Sequence, residues 1–404
     1  MINQLDSQFL QVNSTDDLQE IINYALSHGI RGISFSPNAT IKLNSSIIID
    51  YTNITDTNGL LFEGNGSSIY CQANSQFCFV VKGKGTQYPQ LVKNTTFRNF
   101  NFYTDSSARG GGISIINSSQ TLIERCYFNG FWNAVDVRYS AELQIRNCGG
   151  EGNDVGVYTL HCRDSKFTDL HYWGGSHGLF LDGTLDVAWD GGACLNGITA
   201  NIMSKYGIYL KGQYTPQLNN LVLETCDTGI QIESSQYGNI NNAFLGPNTS
   251  YSIYSTNYSG GANNDFWILN NINGQTQMRL SKMNFSSFSD ITLLSVSKSV
   301  TGGALTFDSC EDCNTTNISI KSFTTPHGIL NTGSTYGLFN NISSFGTGNG
   351  MFVDIGNGSV VIDNLMVGQS NTNGLGVNGY GSPSLVKYTY YKPVSGVLTR
   401  FTNN

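Results

Sequence analysis

The sequence predicts an all-β fold: a right-handed, single-stranded parallel β-helix of about twelve rungs, with a capping helix at its start. Three observations predict it. A short segment of the form small residue, apolar, any, apolar recurs down the chain: "GISI" at Gly112, "AVDV" at Ala134, "GVYT" at Gly156, "GLFL" at Gly178, "GIYL" at Gly207, "GIQI" at Gly229 and "SIYS" at Ser252. The steps between these copies are 22, 22, 22, 29, 22 and 23 residues, and weaker copies at Gln277, Ala304, Gly328, Gly350 and Gly374 extend the series. Second, each unit follows another apolar segment of the same rhythm, such as "TLIERCYF", "LQIRNCGG" and "SKFTDLHYW". Each period therefore holds at least two short strands, with no room for a helical crossover, and coils stacked about 4.8 Å apart form parallel sheets around one core. Third, an amphipathic helix precedes the first strand.

The elements follow in order. Residues 1–13 form a tail, and 14–58 hold the capping helix and first strands. In "STDDLQEIINYALSHG", Ser14 or Thr15 can N-cap the helix. Leu18, Ile21, Ile22 and Ala25 make its apolar face and Gly29 ends it. Such a cap covers core and unpaired backbone that a bare solenoid end would expose. The strand "GISF" follows and stops before Pro37; residues 59–380 carry the repeating coil, and 381–404 break the rhythm as a terminal cap or subunit contact.

Composition narrows the function. Charged residues are only 12% of the chain and 43 Phe and Tyr offer surface to bury, so this is a folded protein. A net charge of −7 without a basic stripe excludes nucleic acid as the expected partner. No run of about 18 apolar residues exists to insert into a membrane. The start, "MINQLDSQFLQ", lacks the basic and apolar regions of a secretion signal, which fits an outward route such as virion release. About fourteen Asn-x-Ser/Thr sequons arise either as glycosylation sites or from an Asn-, Ser- and Thr-rich composition. Among nine cysteines, Cys71 and Cys78 could close a loop, and Cys126 and Cys148, one period apart, form either a disulfide or a core thiol stack. Cys310 and Cys313 are a lone CxxC without histidines, so no zinc is expected.

Alternation places two columns on the outer face. One contains Asp136, Tyr158, Phe180, Tyr209 and Tyr254; the other contains Arg138, Asp182, Lys211 and Glu233. Tyr158, Phe180 and Tyr209 on successive rungs read either as a sugar-binding strip flanked by Asp136, Asp182 and Lys211 or as a face buried against a sister chain. A seven-residue expansion between Gly178 and Gly207 adds a loop with Asp186, Trp189 and Asp190, of which Trp189 suits sugar contact. No metal and no cofactor are expected. Asp182 and Glu233, two rungs apart, read either as the carboxyl pair of a glycosidase or, with Lys211 between them, as a charge ladder.

The helix, "GIRGISFSPNATIKLNSSIIID" and "GLLFEGNGSSIY" resemble the opening of the pectate-lyase-like superfamily, which includes viral tailspikes, polygalacturonases and polysaccharide lyases. The resemblance covers about residues 14–370. Compared with polygalacturonases, the chain carries Asp154, the Ser176-His177-Gly178 segment and Lys211, and departs from the family at the remaining aspartates. His177 also fits as a turn residue, since Asn and His favour left-handed turns. The resemblance together with the aromatic outer strip leads to the expectation of a virion-surface, extracellular, tailspike-like protein that binds polysaccharide or cell-surface glycan, the outward columns and the inserted loop offering Tyr158, Phe180, Tyr209, Tyr254, Asp136, His177, Trp189 and Lys211 for contact. A homotrimer, or packing on other virion proteins, goes with it. The alternatives are a polysaccharide hydrolase or lyase using Asp154, Asp182 or Glu233, and a purely structural virion component.

Overall fold

The computed structural model describes residues 4–5, 9–54, 59–72, 76–84, 92–104, 109–183, 191–257, 263–294, 302–334, 336–346, 348–355, 359–368, 371, 374–379, 385–394 and 397–403. They form a β-solenoid of about 13 turns with one short helix near the start. The chain divides into two compact units, Met1–Ser204 and Lys205–Asn404.

In the first unit the helix Leu18–His28 buries Leu18, Ile21, Ile22 and Ala25. Its N-cap is Asp17, not Ser14 or Thr15: the Asp17 carboxylate accepts the Glu20 backbone N–H at 3.1 Å. Gly29, at φ 69°, ends the helix where a left-handed residue is needed. Gln19 does a second job, because its amide donates to the Ile48 carbonyl at 2.9 Å and accepts the Ile48 N–H at 2.8 Å. That satisfies backbone at the open edge of the strand Ile47–Asp50.

Above that edge the strands Phe77–Lys82, Gly111–Ile116, Asn133–Arg138 and Val155–Leu160 and the end of Lys166–Asp182 stack in parallel. Ile113, Val135, Val157 and Leu179 share one register position, and all are fully buried. Two further ladders complete each turn. One runs through Leu122–Glu124 and Gln144–Arg146, the other through Tyr127–Asn129 and Gly149–Glu151. A period thus holds three strands, one beyond the minimum the spacing required. Arg125, Asn147 and Asp169 sit at the corner between these ladders with φ of 51°, 52° and 52°, which swings the chain round without a long loop. Inside, Phe rings stack from rung to rung: Phe62 on Phe97 at 4.8 Å and Phe102 on Phe128 at 4.9 Å, each pair 5° from parallel.

The second unit repeats the plan with the strands Thr228–Glu233, Tyr251–Thr256, Met278–Ser281, Gly303–Asp308, His327–Thr332 and Asn349–Ile355 in one parallel ladder. Its other ladder ends in Leu385–Val394, which pairs antiparallel with Val397–Asn403. Left-handed asparagines again mark a corner, at Asn220, Asn242, Asn271, Asn317, Asn341 and Asn364. All nine cysteines are free thiols. Cys126 N–H points at the Cys148 sulfur from 3.4 Å, so of the two arrangements open to this pair the structure has the thiol stack. Among the described residues no helix is long and apolar enough to cross a membrane.

Candidate functional site

Tyr158 and Phe180 occupy matching positions on adjacent rungs, with Asp136 one rung below Tyr158. The two rings meet edge to face at 5.3 Å, and His177 stacks on Phe180 at 5.5 Å. This face is closed more tightly than alternation alone implies. Asp136 is 0% exposed. Its oxygens accept from Arg138 Nε at 2.7 Å, Arg138 Nη2 at 3.0 Å and Asn133 Nδ2 at 2.9 Å. A buried carboxylate demands such neutralisation, and the fork geometry of arginine supplies it. The same contact holds the Arg138 guanidinium above its ordinary pKa, and that guanidinium lies 5.7 Å from the Tyr158 ring centre.

Asp182 is 8% exposed and accepts from Tyr158 Oη at 3.4 Å. Burial first, and the Asp182 charge second, push the Tyr158 phenol up to about 12. Asp154 accepts the Ser176 hydroxyl, and its carbonyl accepts the Ser176 and His177 N–H groups at 2.8 and 2.9 Å. His177 is 9% exposed. These groups join rung to rung more than they face outward. Trp189, Asp186 and Asp190 lie outside the described residues.

In the second unit Tyr209 donates its hydroxyl to Glu233, and Lys211 sits in register with Glu233. Tyr254 stacks on Tyr251 at 4.5 Å and 13°. This face too is aromatic, half-buried and internally bonded.

A cavity of about 600 Å³ opens in the first unit on a different ladder. Tyr127, Gly149 and His171 share one register position, while Asn129, Glu151 and Trp173 share the next outward one. Because Gly149 has no side chain, the outer column skips a rung and leaves a notch between Tyr127 and His171. Backbone crowding explains the glycines. A Cβ at position 149 would stand 2.4 Å from the His171 carbonyl oxygen, and one at 150 would stand 2.2 Å from that of Phe128. Buried Asn153 pins this approach, donating to Phe128 O at 2.9 Å and accepting Phe131 N–H at 3.0 Å.

The walls of the notch are chemically mixed. Trp173 is 46% exposed, and Tyr127 donates to the Glu151 carboxylate at 3.3 Å. Asp169 and Asn147 reach the cavity from the left-handed corner, and His171 closes it above. One rung down and diagonally across, Tyr103 lies under Asn129 with its ring 6.5 Å from that of Tyr127, and Tyr70 stacks on Tyr103 at 5.0 Å. Burial and the neighbouring phenols raise the Tyr103 pKa. Among the described residues no cluster of three or more His, Cys, Asp or Glu is placed to hold a metal.

The sequence reading singled out none of Tyr127, Gly149, Glu151, Asp169 or Trp173. The signal was present, since "CYFN", "CGGE" and "LHYW" align at steps of 22 and display the Tyr–Gly–His column directly.

The profile of the right-handed β-helix region matches residues 80–272. No curated protein matches the chain in sequence. Among solved structures, the catalytic domain of a GH87 α-1,3-glucanase in complex with tetrasaccharides is similar, with 12% identity, 98% of this chain and 70% of that one covered, and a TM-score of 0.52. The A-module of Azotobacter vinelandii mannuronan C-5 epimerase AlgE6 aligns at 11% identity over 95% of this chain and 97% of its own, with a TM-score of 0.49. Bacteriophage CBA120 tailspike protein 3 aligns at 10% identity over 93% of this chain and 58% of its own, with a TM-score of 0.44. At 12% identity the likeness to the glucanase domain is one of fold.

Proposed function

We propose that this β-solenoid binds a polysaccharide or cell-surface glycan, and that the notch between Tyr127 and His171 is where a sugar ring seats. The observation that carries the reading is a cavity of about 600 Å³ bordered by a Trp that leaves 46% of its surface open. Pyranose rings pair an apolar C–H face with a polar rim. Such a ring is matched by a flat indole or phenol with acceptors beside it, the mixture typical of small-molecule sites. Tyr70, Tyr103 and Tyr127 extend the platform over several rungs, which suits a chain more than a single sugar. The half-buried faces around Tyr158, Phe180 and His177, and around Tyr209, Lys211 and Tyr254, are secondary surfaces in this reading.

The same reading takes the protein as a virion-surface, tailspike-like receptor-binding chain. Its support is the resemblance of the opening segments to that group. A trimer belongs with it, and the ridge of Tyr214, Tyr237, Phe266 and Phe285, each at least 40% exposed, is apolar surface that subunit packing would cover. Sedimentation of the purified protein tests the trimer, and a monomer would overturn it.

A glycan array probed in parallel with the wild type and Trp173→Ala tests the binding site. The expected result is retention of one glycan class by the wild type and its loss in the variant. Silence across neutral, acidic and amino glycans would sink the reading, as would a variant that binds as well as the wild type.

A depolymerase is the second reading, favoured by Glu151 and Asp169 lining one cavity. Asp154 and Asp182 are less suited, because Ser176 and Tyr158 already engage them. New reducing ends or unsaturated products from incubated polysaccharide, lost in Glu151→Gln, would establish it. Loss in Asp182→Asn or Glu233→Gln instead would move the chemistry to the Tyr158 surface of the first unit or the Tyr209 surface of the second.

A further inference from the structure

We infer that the notch selects glycans by charge, taking amino sugars in preference to neutral ones and rejecting polyuronates; this rests on the reading of the notch as a glycan site. Among the described residues its lining holds two carboxylates, Glu151 and Asp169, and one imidazole, His171, but no lysine or arginine. The absence is informative because basic residues are close in the chain. Arg146 precedes the lining residue Asn147, yet its guanidinium is committed to Glu124 at 3.0 Å on the rung below. Arg125 holds the corner position one turn under Asn147 and does not reach the lining.

Both carboxylates belong to solvent-exposed residues, so neither is consumed by a buried ion pair. Glu151 accepts one hydrogen bond, from the Tyr127 hydroxyl, which leaves acceptor capacity on a two-oxygen group. The Asp169 corner fixes the other. A Cβ on Gly197 would lie 2.4 Å from Asp169 Oδ1, so the glycine is what leaves space for this carboxylate. An ammonium group on a sugar stacked over Trp173 therefore meets acceptors, whereas a uronate meets two like charges. The overall charge of −7 adds to the same preference at longer range.

The fold-change follows from exposed ion pairs, each worth up to about fivefold in affinity and screened by salt. Three hexasaccharides of equal length separate the outcomes when titrated calorimetrically at low ionic strength: protonated oligoglucosamine, cello-oligosaccharide and oligogalacturonate. The expected order is amino over neutral by about five- to twentyfold and neutral over uronate by a similar factor, the differences shrinking in high salt. In a Glu151→Gln/Asp169→Asn double variant the amino-to-neutral ratio falls toward one, with melting temperature checked to exclude misfolding. In Trp173→Ala all affinities fall together while their order persists.

Oligogalacturonate binding as tightly as oligoglucosamine would overturn the charge inference and leave the glycan site standing. An amino preference that survives in the double variant would overturn it as well. Failure of every hexasaccharide, with Trp173→Ala indistinguishable from the wild type, would remove the site and the inference together.

Discussion

The corner asparagines of the second unit offer the most direct test of how the coil is held. Asn341, at φ 52°, donates from Nδ2 to Asn317 Oδ1 at 2.6 Å and accepts from Asn364 Nδ2 at 3.1 Å. Asn317 in turn donates to Asp290 at 3.0 Å, so the amides form a ladder up one edge. Replacing Asn341 by Ala removes two hydrogen bonds, which near solvent are worth about 0.5–1 kcal/mol each. It also places a residue with no local compensation in the left-handed region, at a further cost of about 1 kcal/mol. The sum is about 2–3 kcal/mol. Gly at the same position loses the bonds but not the backbone fit, so it should be milder than Ala by about 0.5–1 kcal/mol after its own entropy is counted. Stability in stacked repeats is governed by nearest neighbours, so the loss should be local. Amide hydrogen exchange is therefore the assay. Peptides covering Cys313–Phe323, Gly337–Gly346 and Ser359–Val367 should lose protection by about 30- to 150-fold in Asn341→Ala. Unchanged protection there, or an equal loss in the strands of the first unit, would refute the ladder as a source of local stability.

Two predictions concern the Arg138–Asp136 clasp of the first unit. Arg138→Ala strands a fully buried Asp136 and should cost about 2–4 kcal/mol, whereas Arg138→Met/Asp136→Leu should recover much of that loss; urea unfolding of the three proteins decides, and a double variant no better than the single one would count against the clasp. Tyr158, with its phenol pushed up to about 12, favours the neutral form in the fold. Its contribution to stability is therefore intact below the ordinary phenol value of about 10 and disappears as pH rises toward 12. A spectrophotometric titration should show that Tyr158→Phe removes one late-ionising phenol, and loss of an early one would contradict the burial argument.

Repetition made most of the fold legible. A side chain that must enter the core every 22 residues, as Ile113, Val135, Val157 and Leu179 do, leaves its period in the letters whatever the chemistry outside. The helix was legible for the same reason, through the spacing of Leu18, Ile21, Ile22 and Ala25. Its cap was harder to place, because four consecutive residues from Ser14 to Asp17 can all accept an N–H and only the geometry selects Asp17. Alternation also gave the direction of Asp136 but not its burial. Which way a side chain points is a property of its own strand, whereas Arg138 and Asn133 closing over it depends on rotamers.

The notch escaped for a deeper reason. A search for binding residues counts side chains that are present, and here the site is made by one that is missing. Successive rungs of a regular solenoid tend to fill each other's outer gaps, so concavity has to come from an expanded loop or from a deleted side chain. Gly149 is the second kind. Its glycine is imposed by the His171 carbonyl 2.4 Å from where a Cβ would sit, a constraint of strand approach. The opening between Tyr127 and His171 follows as a by-product. Core and site then divide along the strands: Phe128 and Tyr172 are buried, while Tyr127, Glu151 and Trp173 face out from the same strands. A change in outer chemistry can thus alter which sugar is held without touching the stacked core. The converse fails, since any side chain at 149 must move the backbone that shapes the notch.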